Sequence, residues 1–156
     1  MSRRIPRWLP ASVLFVPLLM LLLSLALYGL MQQGGLAPFR VPEGEARVVP
    51  TDPALVERGA YLARIGNCAG CHTATGGEAY AGGRAFSSDY GTVYSSNLTP
   101  DPDSGIGDWS LAEFEHAMRH GVSRNGIASP VFPYASFARL PERDIEALFA
   151  YLGQLA

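Results

Sequence analysis

Hydrophobic and polar positions divide the chain into one continuous apolar block and a longer, patterned region. From Leu9 to Met31 the residues are apolar apart from Ser12, Ser24 and Tyr28. As a helix rising ~1.5 Å per residue, that run reaches across the ~30 Å hydrocarbon core of a bilayer. Pro10 stands near the start, where proline is tolerated, and Pro17 is expected to kink the helix without ending it, because no polar residue follows to take an exit. Residues 32–50, with Gly34, Gly35, Pro38, Pro42, Gly44 and Pro50, follow no period and predict a tether.

Three segments beyond the tether carry helical spacing. In the first, Asp52 is the N-cap, Pro53 takes the first helical position, Leu55, Val56, Leu62 and Ile65 supply the apolar face, and Gly66 is the stop. In the second, Ser110 and Glu113 form a capping box, Leu111, Phe114, Ala117 and Met118 face the core, and Gly121 takes the left-handed end. The third starts at Pro141, buries Ile145, Leu148, Phe149, Leu152 and Leu155, and turns Glu142, Arg143, Asp144 and Glu146 to solvent. Gly59 is expected to let this third helix cross the first closely, beside Phe149 or Tyr151. About forty residues rich in Gly, Ser, Asp and Pro separate the first two helices and read as a loop, too long for a compact domain unless something other than side chains supplies its core.

Charge follows the same division. No charged residue lies between Trp8 and Phe39, and Arg3, Arg4 and Arg7 precede the apolar block. Arginines on that side predict residues 1–8 in the cytoplasm, a transmembrane anchor over 9–31, and an exported domain over 51–156. A cleaved signal peptide with a small-residue site at Ser24 and Ala26 is the alternative, disfavoured because the apolar run continues past that site. From residue 41 onward eight arginines face fourteen acids, a net of about −6. An acidic domain is a poor ligand for nucleic acid, which needs clustered Lys and Arg to neutralise phosphates.

The two cysteines of the chain stand in Cys68-Ala69-Gly70-Cys71-His72. Two thiols a turn apart can add to the two vinyl groups of one haem, and a histidine directly after the second can offer its Nε2 to the iron from the proximal side. A haem also supplies the large apolar core that the long loop lacks. Three other readings compete with this one. A disulfide across so short a loop constrains little of the unfolded chain. A thioredoxin-like pair needs a βαβ setting that is absent here. Zinc needs a fourth ligand, and the remaining histidines are His116 and His120.

Gly59 to His72, Ala81-Gly82-Gly83-Arg84, the run from Tyr90 to Asp101 with its Asn97-Leu98-Thr99-Pro100-Asp101, Gly105-Ile106-Gly107-Asp108-Trp109-Ser110, and Phe132-Pro133-Tyr134 resemble one haem domain of a known family. It comprises the cytochrome c subunits of membrane-bound bacterial dehydrogenases: quinoprotein alcohol and aldehyde dehydrogenases, gluconate-type flavin dehydrogenases and nicotinate-type molybdenum hydroxylases. The resemblance covers roughly residues 52–155. It implies an all-α cytochrome c fold around one covalent haem c, here preceded by a single transmembrane helix in the bacterial inner membrane, with the haem domain facing the periplasm. It further implies a carrier, not a catalyst on its own, that takes electrons from a dehydrogenase to a quinone site, an oxidase or another cytochrome. Three departures stand out. The chain has one haem motif where the family's subunits usually have three, Ser87-Ser88-Asp89 replaces a stretch with two prolines, and Val131-Phe132-Pro133-Tyr134 occupies the family's Ala-Met-Pro-Tyr element.

That last departure removes the expected sixth ligand of the iron, since phenylalanine has no lone pair to give. Apart from Met1, Met118 is the one thioether outside the apolar block and the candidate ligand, with ordinary core packing as its other reading. His116 and His120 each lie two residues away, about 200° round the helix, and read as a solvated face. Trp109, Arg84 and Tyr94 are candidate hydrogen-bond donors to the haem propionates. An open distal site lined by Phe132 and Met118 supports the alternative function, a haem sensor of diatomic gases or a small peroxidase-like enzyme.

Overall fold

The computed structural model describes residues 11–30, 42 and 47–155, and within the first helix the side chains from residue 15 onward. Two compact units result, Met1–Ala37 and Pro38–Ala156. In the first, α1 (Ala11–Leu30) runs unbroken through Pro17. The Ser24 hydroxyl donates to the Met20 carbonyl at 2.8 Å, which satisfies that polar group within the helix. Leu18 to Leu30 expose apolar side chains on every side. Residues 15–30 would extend about 24 Å at helical rise, and among the described residues no helix is long and apolar enough to cross a membrane.

The second unit is mostly helical: α2 (Pro53–Ile65), α3 (Cys68–Cys71), β1 (Ala85–Ser88), β2 (Gly91–Tyr94), α4 (Leu111–His120), β3 (Val122–Ser123), β4 (Gly126–Ile127), α5 (Tyr134–Phe137) and α6 (Glu142–Leu152). The caps act as the sequence predicts. Asp52 accepts from the Ala54 N–H at 2.9 Å with Pro53 at the first helical position. Ser110 and Glu113 cap each other reciprocally, at 2.8 and 3.2 Å. Gly121 ends α4 at φ +65°, where a Cβ would also stand 2.7 Å from the Tyr134 ring.

The core forms where α2 lies along α6. Phe149, Ile145 and Leu152 are its largest enclosed side chains, and Phe114 of α4 meets Phe149 with ring centroids 5.5 Å apart. Gly59 makes the close crossing possible, because a Cβ there would run into the Ala147 carbonyl and stand 2.7 Å from the Tyr151 Cβ. Tyr151 in turn meets Tyr80 edge to face at 6.0 Å.

Four expectations need correction. Asp144 is not on the wet side of α6: it is buried, and its carboxylate accepts from Arg58 Nε at 2.5 Å. Reaching across from α2, Arg58 supplies the charge that makes this burial tolerable. Ile65 is 62% exposed, so the apolar face of α2 ends at Ala63. Leu155 packs on the core from beyond the helix, which stops at Leu152. The stretch between α2 and α4 is not structureless, since β1 and β2 pair antiparallel from Ala85↔Tyr94 to Ser88↔Gly91. Gly91, at φ +128°, closes that turn, while Ser88 Oγ accepts from the Tyr90 N–H and donates to the Gly91 carbonyl. Both strands lie almost wholly on the surface, so no alternation of apolar and polar residues marked them. The all-α expectation therefore becomes a helical domain with two small hairpins. The end of the tether joins this domain: Arg47 Nη1 donates to the Gly107 carbonyl at 2.5 Å, its guanidinium lies over the Phe149 ring, and Val49 packs on the core.

Candidate functional site

At the end of α2 the chain reverses through Gly66 and Asn67, the latter left-handed at φ +54°, and α3 begins at once. Cys68 and Cys71 occupy the two ends of this single turn as unbonded thiols, closed by the His72 N–H donating to the Cys68 carbonyl at 2.8 Å. A Cβ at Gly70 would displace the Asn67 side chain from where it now lies against the turn. Arg84 Nη1 donates to the Gly70 carbonyl at 2.5 Å while its guanidinium covers Phe86.

His72 is oriented by backbone. Its Nδ1 lies 2.8 Å from the Ser96 carbonyl, and a carbonyl only accepts, so Nδ1 carries the proton and Nε2 keeps its lone pair. Burial pushes the imidazole pKa down and the bond to Ser96 partly opposes it, which favours the neutral ring that a metal requires. Burial likewise pushes the Cys68 thiol up.

The motif opens onto a cavity of about 400 Å³, within the usual range of a small-molecule or cofactor site. Trp109, Leu148 and Leu152 contribute to its wall, as do Phe114 and Met118 of α4, and none of the lining residues carries a charged side chain apart from the titratable motif. Val93, Tyr94, Ile127 and Val131 belong to the same wall yet are 41–74% exposed. Large apolar side chains exposed together around a cavity mark a surface that an apolar partner covers. Two thiols on one turn, an imidazole with a bare Nε2 and an apolar wall form the donor set and enclosure that a covalently held haem needs. Among the described residues no three of His, Cys, Asp and Glu converge as a metal-ion site.

The structure brings Trp109, Tyr94 and Met118 to the cavity with the motif. Arg84 is not in the wall itself, but its guanidinium donates to the Gly70 carbonyl of the motif and lies over Phe86, which is. Phe132 lines the cavity and stacks on Phe137 at 5.7 Å. His116 and His120 lie outside the lining and face each other at 4.7 Å. Sequence reasoning missed the β3–β4 hairpin, whose Asn125 and Ile127 complete the wall. Its signal was Ser123-Arg124-Asn125-Gly126, a four-residue turn with serine first and glycine last. Also missed was Arg124, which ties the hairpin to α4 by donating to both Glu113 oxygens at 2.5 and 2.6 Å and to Asp108 at 2.6 Å, with its charge over the Trp109 ring.

Known proteins bear on the same region. The chain is 50% identical over 107 residues to the cytochrome c subunit of the quinone-dependent alcohol dehydrogenase of Gluconacetobacter polyoxogenes, covering 68% of this chain and 23% of that protein. It is 49% identical over 116 residues to a nicotinate dehydrogenase subunit of Pseudomonas putida, 69% of this chain and 10% of that one. With the gluconate 2-dehydrogenase cytochrome c subunit of Pantoea cypripedii it shares 50% over 99 residues, 63% and 22% of the two lengths. The chain thus spans about a quarter or less of these relatives. The family described as cytochrome c matches residues 56–156, from the first turns of α2 through the motif and the cavity wall to α6, and by that match the chain belongs to the cytochrome c family.

Proposed function

We propose that the chain is a membrane-anchored, single-haem electron carrier, passing electrons between a periplasmic dehydrogenase and the respiratory chain. The observation that carries this reading is the juxtaposition of Cys68, Cys71 and an oriented, neutral His72 at the edge of an apolar cavity. Haem c supplies a one-electron couple at its iron. The protein's own groups do the rest. Cys68 and Cys71 would hold the haem by adding their thiols across its two vinyl groups, each S–H giving a thioether and a C–H. His72 would offer Nε2 to the iron while the Ser96 carbonyl holds the ring, and the apolar wall would keep water away, which limits reorganisation during transfer. Trp109 and Tyr94, which line the cavity, and Arg84, which also donates to the Gly70 carbonyl of the motif, would be the hydrogen-bond donors to the propionates.

Met118 is the one thioether in the wall and the candidate sixth ligand, and Phe132 lines the same wall with carbon. Outside the motif the lining holds no His, Asp, Glu, Lys or Arg side chain, which weighs against peroxide cleavage at this site. Relatives named as subunits of alcohol, gluconate and nicotinate dehydrogenases support a dehydrogenase as the electron donor. Support for the anchor comes from the uncharged run between Trp8 and Phe39 with three arginines before it. Haem staining after denaturing electrophoresis tests the attachment: a stained band at the chain's mass is expected, and pigment lost to acid-acetone refutes it. Protease protection in spheroplasts tests the placement, with the haem domain expected to be cut from outside.

A further inference from the structure

His116 and His120 are one turn apart on α4 and are not used by the cavity. Their rings stand 4.7 Å apart, centroid to centroid, at 50°. Two imidazoles sharing one ion at metal–nitrogen distances of about 2.0–2.1 Å have centroids roughly 4.5–5.2 Å apart, depending on the angle between the two bonds. The pair is therefore already set at chelating separation. Histidines at i and i+4 on one helix face are also the spacing by which helical zinc sites hold two ligands. His120 is exposed and His116 is half-buried, so water can fill the remaining positions. Each ring would ligate through one nitrogen, and a bond from the other nitrogen strengthens such a ligand.

Neighbouring charge permits a cation here. Arg119, between the two histidines, is held by Glu115 at 2.7 Å and donates to the Ala138 and Leu140 carbonyls. The helix itself is rigidly capped at both ends, which lowers the ordering cost of binding. We propose that His116 and His120 form a surface chelate for a borderline divalent transition cation, the class that imidazole prefers. Met118, midway between them in sequence, lines the cavity. A bound dication on the same turn of α4 raises the midpoint potential of the haem, since positive charge favours the reduced iron; this coupling rests on the electron-carrier reading above.

Zinc chloride titrated by calorimetry into the untagged, chelator-treated holoprotein in detergent tests the site. One ion per chain is expected, with affinity weakened at least about tenfold in both His116→Gln and His120→Gln, and the haem spectrum unchanged. Cupric ion in place of zinc should give an electron paramagnetic resonance signal of two-nitrogen ligation that either variant abolishes. Absence of zinc binding, or binding that both variants retain, overturns the chelate. A potential that zinc leaves unmoved, or moves equally in the double variant, overturns the coupling. Failure of haem staining would overturn the electron-carrier reading while leaving the calorimetric result to stand.

Discussion

Gly59→Ala sets two physical effects against each other at the crossing that presents the cysteine motif. In an exposed helix interior this change stabilises by ~1 kcal/mol, because alanine gives up less backbone entropy. Here the added methyl would run into the Ala147 carbonyl oxygen and stand 2.7 Å from the Tyr151 Cβ, where carbon contacts favour ~3.5–4.0 Å. Neither neighbour is a flexible tip. Since interiors are close-packed, relief requires α2 and α6 to part by about an ångström. Ala147 and Phe149 are fully enclosed at this seam, so parting also loosens contacts around them. Overpacking costs ~1–3 kcal/mol, and rigid neighbours place this site at the upper end. Net of the propensity gain, the expected loss is about 2 kcal/mol, a large share of the ~5–15 kcal/mol that holds a domain together. Urea unfolding of the holoprotein, followed by both circular dichroism and haem absorption, should show a lower midpoint with an unchanged slope. A midpoint equal to or above that of the unmodified protein would refute the close crossing.

Other substitutions probe the iron, the charge cluster and the loop. If Met118 ligates, Met118→Leu abolishes the weak sulfur-to-iron band of the ferric spectrum and Phe132→Met changes little; if Met118 is core, the first costs under ~1.5 kcal/mol without spectral change and the second raises the potential. A fully low-spin ferric spectrum that is insensitive to Met118→Leu sinks both versions. Arg124→Met strands the buried Glu113 carboxylate and should cost about 2–3 kcal/mol in denaturant unfolding, less than the ~3–5 kcal/mol of a fully buried pair because Arg124 is one-third exposed; a cost below ~0.5 kcal/mol would show the network to be idle. Hydrogen bonds from the Ser104 N–H and hydroxyl hold the Asp101 carboxyl below its ordinary value, so its contribution is present above the unfolded carboxylate pKa of ~3.9 and is lost as pH falls through the lower folded value. The stability difference between the unmodified protein and Asp101→Asn should therefore shrink as pH drops below about 4, and a difference independent of pH would contradict it.

Local signals along the chain carried the helices and the motif. Asp52-Pro53, Ser110 with Glu113, and Gly121 mark the ends of α2 and α4 because capping is decided within a few residues by groups adjacent in sequence. The Cys68–His72 motif was legible for the same reason, since both thiols lie on one turn. Tertiary structure alone decided the rest. Asp144 carries the same charge as its exposed neighbours on α6, and only the approach of Arg58, 86 residues away, makes its burial tolerable. Ser96 became the partner of His72 because β1 and β2 fold back and return the chain to the motif. Arg84 and Trp109 read alike as polar candidates, yet Trp109 enters the cavity wall while Arg84 donates to the Gly70 carbonyl of the motif. Caps and turns are short-range and written in neighbouring residues. Which side chains share a wall depends on how distant elements pack, and no local pattern records that.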